Sequence, residues 1–270
     1  MKKLFLLLAF AATTASLSAQ HSWGVKAGAE VSTLKISAEG LSAKANPGNK
    51  AGFYVGGVSN LVLNKNFDLQ TELMYSYGGT RLAASGDFLT GLVNTGNDPS
   101  DPDYTVLDKM SVAINTHTLR LPILIHFHPS QKLSILAGPY VSVRVGTGVC
   151  YNNHVKDALN ASLAETGISA DDLKDVAKDL VNDNLKKFDV GASLGVEYAF
   201  DCGLFIDARY NFSFLNSLKK KLDPTAINDF ANRLDPDAGA NLPEYDVKAE
   251  TGVQPTVRYS ALQVGVGFRF

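Results

Sequence analysis

Alternation of apolar and polar residues is the most regular pattern in this chain, and residues 257–270 show it most clearly. Every second residue from Leu262 to Phe270 is large and apolar, and the residues between them are glycine, glycine and arginine after Gln263. Successive side chains of a β-strand point to opposite faces, so this pattern predicts a strand with one apolar face. A soluble antiparallel sheet would turn its polar face to water and would not need glycines there. The glycines suggest a crowded interior.

The same alternation predicts seven further strands. It is clearest at Phe67–Tyr77, where Phe, Leu, Thr, Leu, Tyr and Tyr alternate with Asp, Gln, Glu, Met and Ser. The predicted strands cover residues 22–34, 50–63, 67–77, 112–128, 133–148, 187–200, 204–214 and 257–270. Their connections run long, short, long, short, long, short, long. A membrane barrel with both chain ends in the periplasm requires this order, because its short turns face the periplasm and its long loops face outside.

The two faces of the strands decide between a membrane barrel and a soluble one. Glycines and charges share one face, whereas large aliphatic and aromatic residues share the other. A lipocalin-like barrel would place its apolar face inside, around a ligand, and leave its charges to water. We therefore predict an all-β fold: an eight-stranded antiparallel up-and-down transmembrane β-barrel whose apolar face meets lipid.

Two long connections contain helical patterns. Ser169 and Asp172 form a predicted helix N-cap within residues 155–186. A shorter helix is predicted after Asp223 and Pro224. We therefore expect short helical insertions in the extracellular loops, and we expect the first helix to pack its apolar stripe on the barrel mouth, because an exposed stripe would be sticky.

The amino-terminus predicts export. Lys2 and Lys3 precede an apolar run, Leu4–Ala12, and then small residues, which is typical of a secretory signal cleaved near Ser18 to Gln20. The run is too short to cross a bilayer as a helix. We expect a signal peptide at residues 1–19 and an outer-membrane barrel domain at residues 20–270.

Composition narrows the class further. A net charge of −2 gives no indication of a nucleic-acid partner, and 23 glycines, 10 tyrosines and 14 phenylalanines suit a barrel. The chain has two cysteines, Cys150 and Cys202, which are too few for a fold that depends on several disulfide bonds. The topology predicts that they lie at opposite ends of the barrel as free thiols.

Charges on the inner face must pair with one another, because buried charges persist only when they are paired and hydrogen-bonded. The predicted turn near residues 201–203 sets Glu197 opposite Asp207, and we expect Arg209 to bridge both carboxylates. An ion or proton path is a weaker hypothesis, since side chains fill an eight-stranded barrel. The predicted lumen charge network consists of Glu30, Glu72, Arg120, Arg144, Glu197, Asp207, Arg209 and Arg269.

Pro122 interrupts the regular pattern, because proline cannot donate to a strand ladder and a closed barrel has no free edge. Register counted from the turn places it opposite Gly138. We expect a bulge or bend at this position.

Several segments resemble the PorT-like outer-membrane β-barrel family of Bacteroidetes. They are FDLQTELMYSYGG (67–79), LRLPILIHF (119–127), LSILAGPYVS (133–142), FDVGASLGVEY (188–198) and FIDARYNFSF (205–214). The resemblance implies an eight-stranded barrel in the outer membrane of a Gram-negative bacterium, in contact with lipid and lipopolysaccharide. PorT itself serves a secretion system linked to gliding, and the family brings no catalytic motif. We therefore predict no catalytic, cofactor-binding or metal-binding residues.

The ending GFRF also resembles the closing strand of bacterial outer-membrane barrels. That resemblance implies that Phe268 and Phe270 belong to the signal read by the barrel assembly machinery.

Three functions are compatible with these features. The first is a non-enzymatic barrel that displays its long outer loops at the cell surface, for interaction with a surface partner or for envelope architecture. The second is a secretion accessory or narrow pore. The third is an enzyme that modifies lipid A, for which His117 with Thr116 or Thr118 is the candidate base and nucleophile. We favour the first, because His117 also suits the role of an interfacial aromatic residue.

Overall fold

Eight long strands account for most of the described chain. A computed structural model describes residues 21–37, 47–83, 111–153, 156–157, 160, 169–234, 241–246 and 256–270, so the expected signal peptide lies outside the described residues. The strands are β1 His21–Ser37, β2 Lys50–Asn64, β3 Phe67–Ala83, β4 Ser111–Phe127, β5 Leu133–Tyr151, β6 Phe188–Ala199, β7 Leu204–Ser213 and β8 Thr256–Arg269.

The strands close into a barrel. Each strand pairs antiparallel with its neighbours in the chain, and β1 pairs with β8 from Gly24↔Arg269 to Ser37↔Thr256. Beyond that ladder, the Phe270 amide donates to the Trp23 carbonyl at 2.8 Å. Closure leaves no unpaired strand edge, which a membrane-spanning sheet requires. The predicted eight-stranded antiparallel barrel is confirmed.

The connections alternate in length as predicted. Short turns join β2 to β3 at residues 65–66, β4 to β5 at 128–132, and β6 to β7 at 200–203. Gly203 has a φ of 88° in the last of these turns, a conformation that glycine adopts at no steric cost. All three turns lie at the end of the barrel that holds His21 and Phe270, and the strand ends that lead into the longer connections lie at the other end.

Among the described residues, the long connections contain two complete helices, as predicted. Helix α1 spans Ala170–Asn184, and its capping box joins Ser169 and Asp172 through the side chain of each and the backbone of the other. Helix α2 spans Thr225–Leu234. In the part of the chain that the structure describes, no helix is long and apolar enough to cross a bilayer.

The outer face of the barrel is apolar and the inner face is polar. Val25, Leu194 and Val264 expose 58%, 56% and 56% of their surface, whereas Lys26 and Arg209 expose only 2% each. Burying charges and exposing aliphatic residues is the reverse of a soluble protein's arrangement and is the arrangement a bilayer requires.

Aromatic pairs flank this apolar surface at both ends. The rings of Phe67 and Phe127 lie 5.3 Å apart near the short turns, and those of Phe53 and Tyr77 lie 5.7 Å apart towards the long connections. Such aromatic girdles mark the two lipid–water interfaces of membrane barrels.

The expectation for Pro122 was wrong in its register. Pro122 lies opposite Tyr140, and the pairing resumes at Ile125↔Ala137 without a change of register. Pro139 on the facing strand removes a second amide donor in the same interval, so the interruption needs no bulge. The bulge of this strand pair lies instead between His117 and Thr118.

Candidate functional site

Four buried charges form the centre of the lumen. Arg209 on β7 makes a bidentate salt bridge to Glu72 on β3, with Nη–Oε distances of 2.8 and 2.9 Å. Its Nε atom donates to Asp207 at 2.8 Å. Lys26 on β1 donates to the same Asp207 carboxylate at 2.8 Å and lies 3.6 Å from Glu72. Because β3 and β7 lie on opposite sides of the ring of eight strands, the Arg209–Glu72 bridge spans the barrel.

A second layer lies between this centre and the short turns. Arg269 on β8 binds the Glu197 carboxylate at 2.7 Å and donates to the side-chain oxygen of Gln70 at 2.7 Å. The amide of Gln70 donates in turn to Glu72 at 2.6 Å. Gln70 therefore connects the second layer to the central one.

The expected partner of Glu197 was wrong. Glu197 does lie opposite Asp207 across the β6–β7 hairpin, as predicted. Its carboxylate, however, is bound by Arg269 from β8, and Arg209 instead reaches Glu72 across the lumen. The strand register alone could not show this, because the guanidinium groups extend far from their own strands.

A third layer lies towards the long connections. Glu30 on β1 accepts hydrogen bonds from the Tyr259 hydroxyl at 2.5 Å and from the Gln263 amide at 2.6 Å. Arg120 lies 3.6 Å from the same carboxylate. Its guanidinium is 5.1 Å from the ring centroids of both Tyr140 and Tyr259, within cation–π range.

The three layers are balanced in charge. Their four carboxylates and four cations are Glu30, Glu72, Glu197 and Asp207 with Lys26, Arg120, Arg209 and Arg269. Removing one partner of such a buried pair leaves an uncompensated charge, which is strongly destabilising. The network therefore fills the lumen and fixes the relative positions of strands that do not pair with each other.

Inner-face glycines make room for large aromatic side chains in the lumen. A methyl group on Gly265 would collide with the hydroxyl of Tyr54, and one on Gly191 would collide with the hydroxyl of Tyr140. Both tyrosines are buried to 1% exposure. The inner-face glycines therefore mark a crowded interior, as the sequence suggested.

Arg144 lies apart from the charge network into which it was predicted. Its guanidinium donates to Thr147 at 2.5 Å, to Asn182 at 3.3 Å and to the carbonyl of Leu185 at 2.7 Å. Leu185 is the C-cap of α1, where a cation also complements the helix dipole. Arg144 thus fastens the end of α1 to the inner wall of β5.

Asn184, the last residue of α1, makes the second attachment of this helix. Its side-chain amide donates to the carbonyls of Leu180 and Asp223, at 2.9 and 3.0 Å, and its carbonyl accepts from the Asp223 amide at 2.6 Å. The hydroxyl and the backbone amide of Thr225 hydrogen-bond the Asp223 carboxyl and hold its pKa below the usual range. The segment that precedes α2 is therefore tied to α1 across the barrel mouth.

His117 does not form a catalytic pair with its neighbours. It projects from the outer face, where its Nδ1 atom lies 2.5 Å from the Tyr75 hydroxyl and its ring packs 5.1 Å from that of Tyr77. Thr116 and Thr118 point to the opposite face, into the lumen mouth. Strand geometry keeps residues of odd and even number apart, so the hydroxyls cannot reach the imidazole.

His126 and His128 face the lumen near the short turns. His128 binds Asp68 at 2.9 Å, and His126 lies 4.0 Å from Glu197. Within the described ranges, no group of three or more His, Cys, Asp and Glu residues is placed to hold a metal ion.

The two cysteines lie at opposite ends of the barrel, as predicted. Cys150 lies opposite Ala113 in the β4–β5 ladder, near the long connections, and Cys202 lies in the turn before β7. Both are exposed free thiols.

The predicted network omits Lys26, and two further residues of the lumen layers are missing from it. Gln70 joins two charge layers, and the ring of Phe205 packs 4.2 Å from the Arg269 guanidinium. Both share the inward parity of their strands, so alternation was the signal that could have found them. Nothing in a neutral amide or a phenyl ring marks it as part of a charge network.

These features define a transmembrane β-barrel with a closed ladder, a lipid-facing apolar surface and a filled polar lumen. Residues 15–219 match the family described as outer membrane protein beta-barrel domain. The match covers more than half of the chain, and the chain belongs to this family. The protein resides in the bacterial outer membrane.

The comparison with solved structures gave, among others, three proteins at low sequence identity. Neisserial surface protein A is 13% identical, with 92% of this chain and 97% of that chain covered and a TM-score of 0.40. The attachment invasion locus protein Ail of Yersinia pestis is 11% identical, with 93% and 99% covered and a TM-score of 0.37. OprG of Pseudomonas aeruginosa is 9% identical, with 93% and 96% covered and a TM-score of 0.39. The comparison with curated proteins gave no match.

Proposed function

We propose that this protein is a non-enzymatic outer-membrane barrel that displays structured outer segments at the cell surface and does not conduct solutes. The balanced charge network in the lumen carries this proposal. The Arg209–Glu72 bridge joins opposite walls, and its side chains are fully or almost fully buried, so it occupies the path that a solute would take. The attachments of α1 by Arg144 and Asn184 hold an outer segment in a defined position, which suits a surface for recognition.

Electrical recording in planar lipid bilayers tests the sealed lumen. We expect the purified wild-type protein to insert without producing ion-conducting steps, because the three charge layers leave no continuous water path. A 16-stranded porin inserted in the same bilayer gives the positive control. Stable conducting steps from the wild-type protein would contradict the proposal and would favour a narrow pore.

Lipid A analysis tests the absence of enzymatic activity. We expect lipid A from cells with and without the gene to have the same acyl chains by mass spectrometry. Altered acyl chains that are restored by the wild-type gene would support a lipid-modifying enzyme instead.

A secretion accessory is the second candidate, and the segments that resemble the PorT-like family favour it. Deleting the gene and measuring proteins released into the medium separates the two functions. A surface-display barrel predicts unchanged release, whereas a secretion accessory predicts that specific cargo proteins are retained.

The carboxy-terminal aromatic residues are proposed to direct membrane insertion. Phe270 is 74% exposed and Phe268 is 44% exposed on the outer face, so both rings are accessible to an assembly factor. Phe270→Ala is expected to lower the amount of folded barrel in the outer membrane, whereas the outer-face change Leu73→Ala is not. Equal amounts for the two variants would contradict this role.

A further inference from the structure

A large apolar chamber lies at the outer mouth of the barrel, between its inner rim and helix α1. Its volume is about 580 Å³. Leu34, Ile114 and Val257 form the barrel side of the wall, and α1 supplies Leu180 and Val181. Further described lining residues include Leu185, Leu218, Leu222, Asp223 and Leu242.

The part of the chamber wall that the structure describes offers almost no hydrogen-bonding groups to an occupant. Three of these lining residues are polar, and each already has partners: the Thr80 hydroxyl donates to the Gly48 carbonyl, Asn184 binds Leu180 and Asp223, and Asp223 accepts from Thr225. A buried water needs two to four polar partners, whereas dry apolar cavities bind apolar molecules. The chamber is therefore unsuited to ordered water.

Towards the periplasm the chamber is followed by a second cavity of only about 60 Å³, whose lining includes Arg120 and Tyr259. Leu34 and Leu185 line both cavities and separate the apolar chamber from the outer charge layer. A molecule that enters from outside would stop at this floor.

At Leu242 the wall of the chamber reaches the exterior. Leu242 is 54% exposed. Its backbone amide donates to the side-chain oxygen of Asn228 on α2 at 2.8 Å, and its carbonyl accepts from the side-chain nitrogen of Asn228 at 2.9 Å. The wall at this side is thus attached to α2 and still reaches the exterior.

We propose that the chamber is a binding site for an uncharged aliphatic or alicyclic small molecule taken from the external medium. Protein interiors are close-packed, so an empty space of this size is unusual. Its volume lies in the range of small-molecule binding pockets. Asp223, the single ionisable residue among the described lining residues, would repel a carboxylate, so a free fatty acid is a poorer ligand than the corresponding alcohol. The charge layer beneath the floor of Leu34 and Leu185 makes the chamber a receptor site and not the entrance of a channel.

Photolabelling in lipid nanodiscs tests this site. The full-length mature protein is equilibrated with a decanol that carries a diazirine group, irradiated, and digested for mass spectrometry. We expect labels on Leu180, Val181 and residues 218–224, and we expect excess unlabelled decanol to reduce them about tenfold. Decanoic acid at the same concentration is expected to compete less well than decanol.

A filled chamber gives the matched comparison. Val181→Trp places a large ring inside the chamber and is expected to abolish labelling of residues 218–224, whereas Val176→Trp on the same helix, outside the lining, is expected to preserve it. Labels on lipid-facing Leu194 serve as the internal standard in each sample, and heat-modifiable migration on gels confirms a folded barrel. Labelling confined to lipid-facing residues, labelling that decanol does not compete, or equal labelling of both variants would overturn the proposal.

Discussion

Arg209 is a single side chain that connects strands on opposite sides of the barrel. One guanidinium contacts Glu72 and Asp207, and Lys26 completes the group. The sequence indicated that Arg209 faces the lumen, because it alternates with Ala208 and Tyr210 along β7. The sequence could not indicate Glu72, which lies 137 residues away in the chain and four strands away in the ring. Alternation gives the face of a residue, but the height at which two distant strands meet depends on the stagger of the whole barrel.

Arg209→Met is expected to lower the free energy of unfolding by about 3–5 kcal/mol, because it leaves buried carboxylates without a partner. Urea titration in detergent micelles measures this change. The matched control Arg258→Met alters an exposed arginine on β8 and is expected to change stability by less than about 0.5 kcal/mol.

The double variant Arg209→Met, Glu72→Gln separates loss of a charge pair from loss of packing. It is expected to regain part of the lost stability, because one of the orphaned carboxylates becomes neutral. Equal stability of the Arg209→Met variant and the wild type would contradict the structural role of this network.

Gly265→Ala is expected to destabilise the barrel by about 1–3 kcal/mol, because the added methyl group would meet the Tyr54 hydroxyl and the Ala27 carbonyl. Gly57→Ala is the control, since a methyl group there points outward and meets only the Gly24 carbonyl, at an ordinary contact distance of 3.9 Å. The two variants are compared by urea unfolding under identical conditions. A destabilisation of similar size in both would show that strand propensity and not lumen crowding is responsible.

At the scale of elements, strands and helices were predictable and their attachments were not. The alternation predicted all eight strands to within a few residues at most ends, although β3 continues to Ala83, well beyond the predicted end at Tyr77. The cap at Ser169 and Asp172 located the start of α1, because capping residues act locally. Arg144 was assigned to the charge network because alternation places it on the inner face. Nothing in the sequence indicated the β-bulge next to it. That bulge places Val145 as an extra residue on β5 and turns Thr147 inward beside Arg144.

Arg144→Met is expected to release the end of α1 while leaving the barrel intact. Loss of the bonds to Asn182 and to the Leu185 carbonyl should raise the rate of amide hydrogen exchange in α1 by about tenfold. Hydrogen exchange followed by mass spectrometry resolves α1 from the strands. Lys178→Met, an exposed change on the same helix, is the control and is expected to leave exchange unchanged. Faster exchange in all eight strands would indicate that Arg144 supports the barrel itself.

At the scale of the whole molecule, the barrel inverts the distribution of a soluble protein. Its charges are enclosed in three balanced layers and its aliphatic residues face outward between two aromatic girdles. The fold class and the direction of each face followed from the sequence, because the two-residue period of a strand and the order of long and short connections are local properties. The apolar chamber did not, since its walls come from residues between Leu34 and Val257 that only the closed structure brings together.

The orientation of the two faces is tested most directly by fluorescence quenching in bilayers. Trp23, the one tryptophan of the chain, is replaced by phenylalanine, and a new tryptophan is introduced by Leu194→Trp or by Val264→Trp. Both positions are on the exposed apolar face, so we predict strong quenching by lipids with brominated acyl chains and little quenching by aqueous acrylamide. Quenching of either tryptophan by acrylamide, without quenching by brominated lipid, would contradict the account.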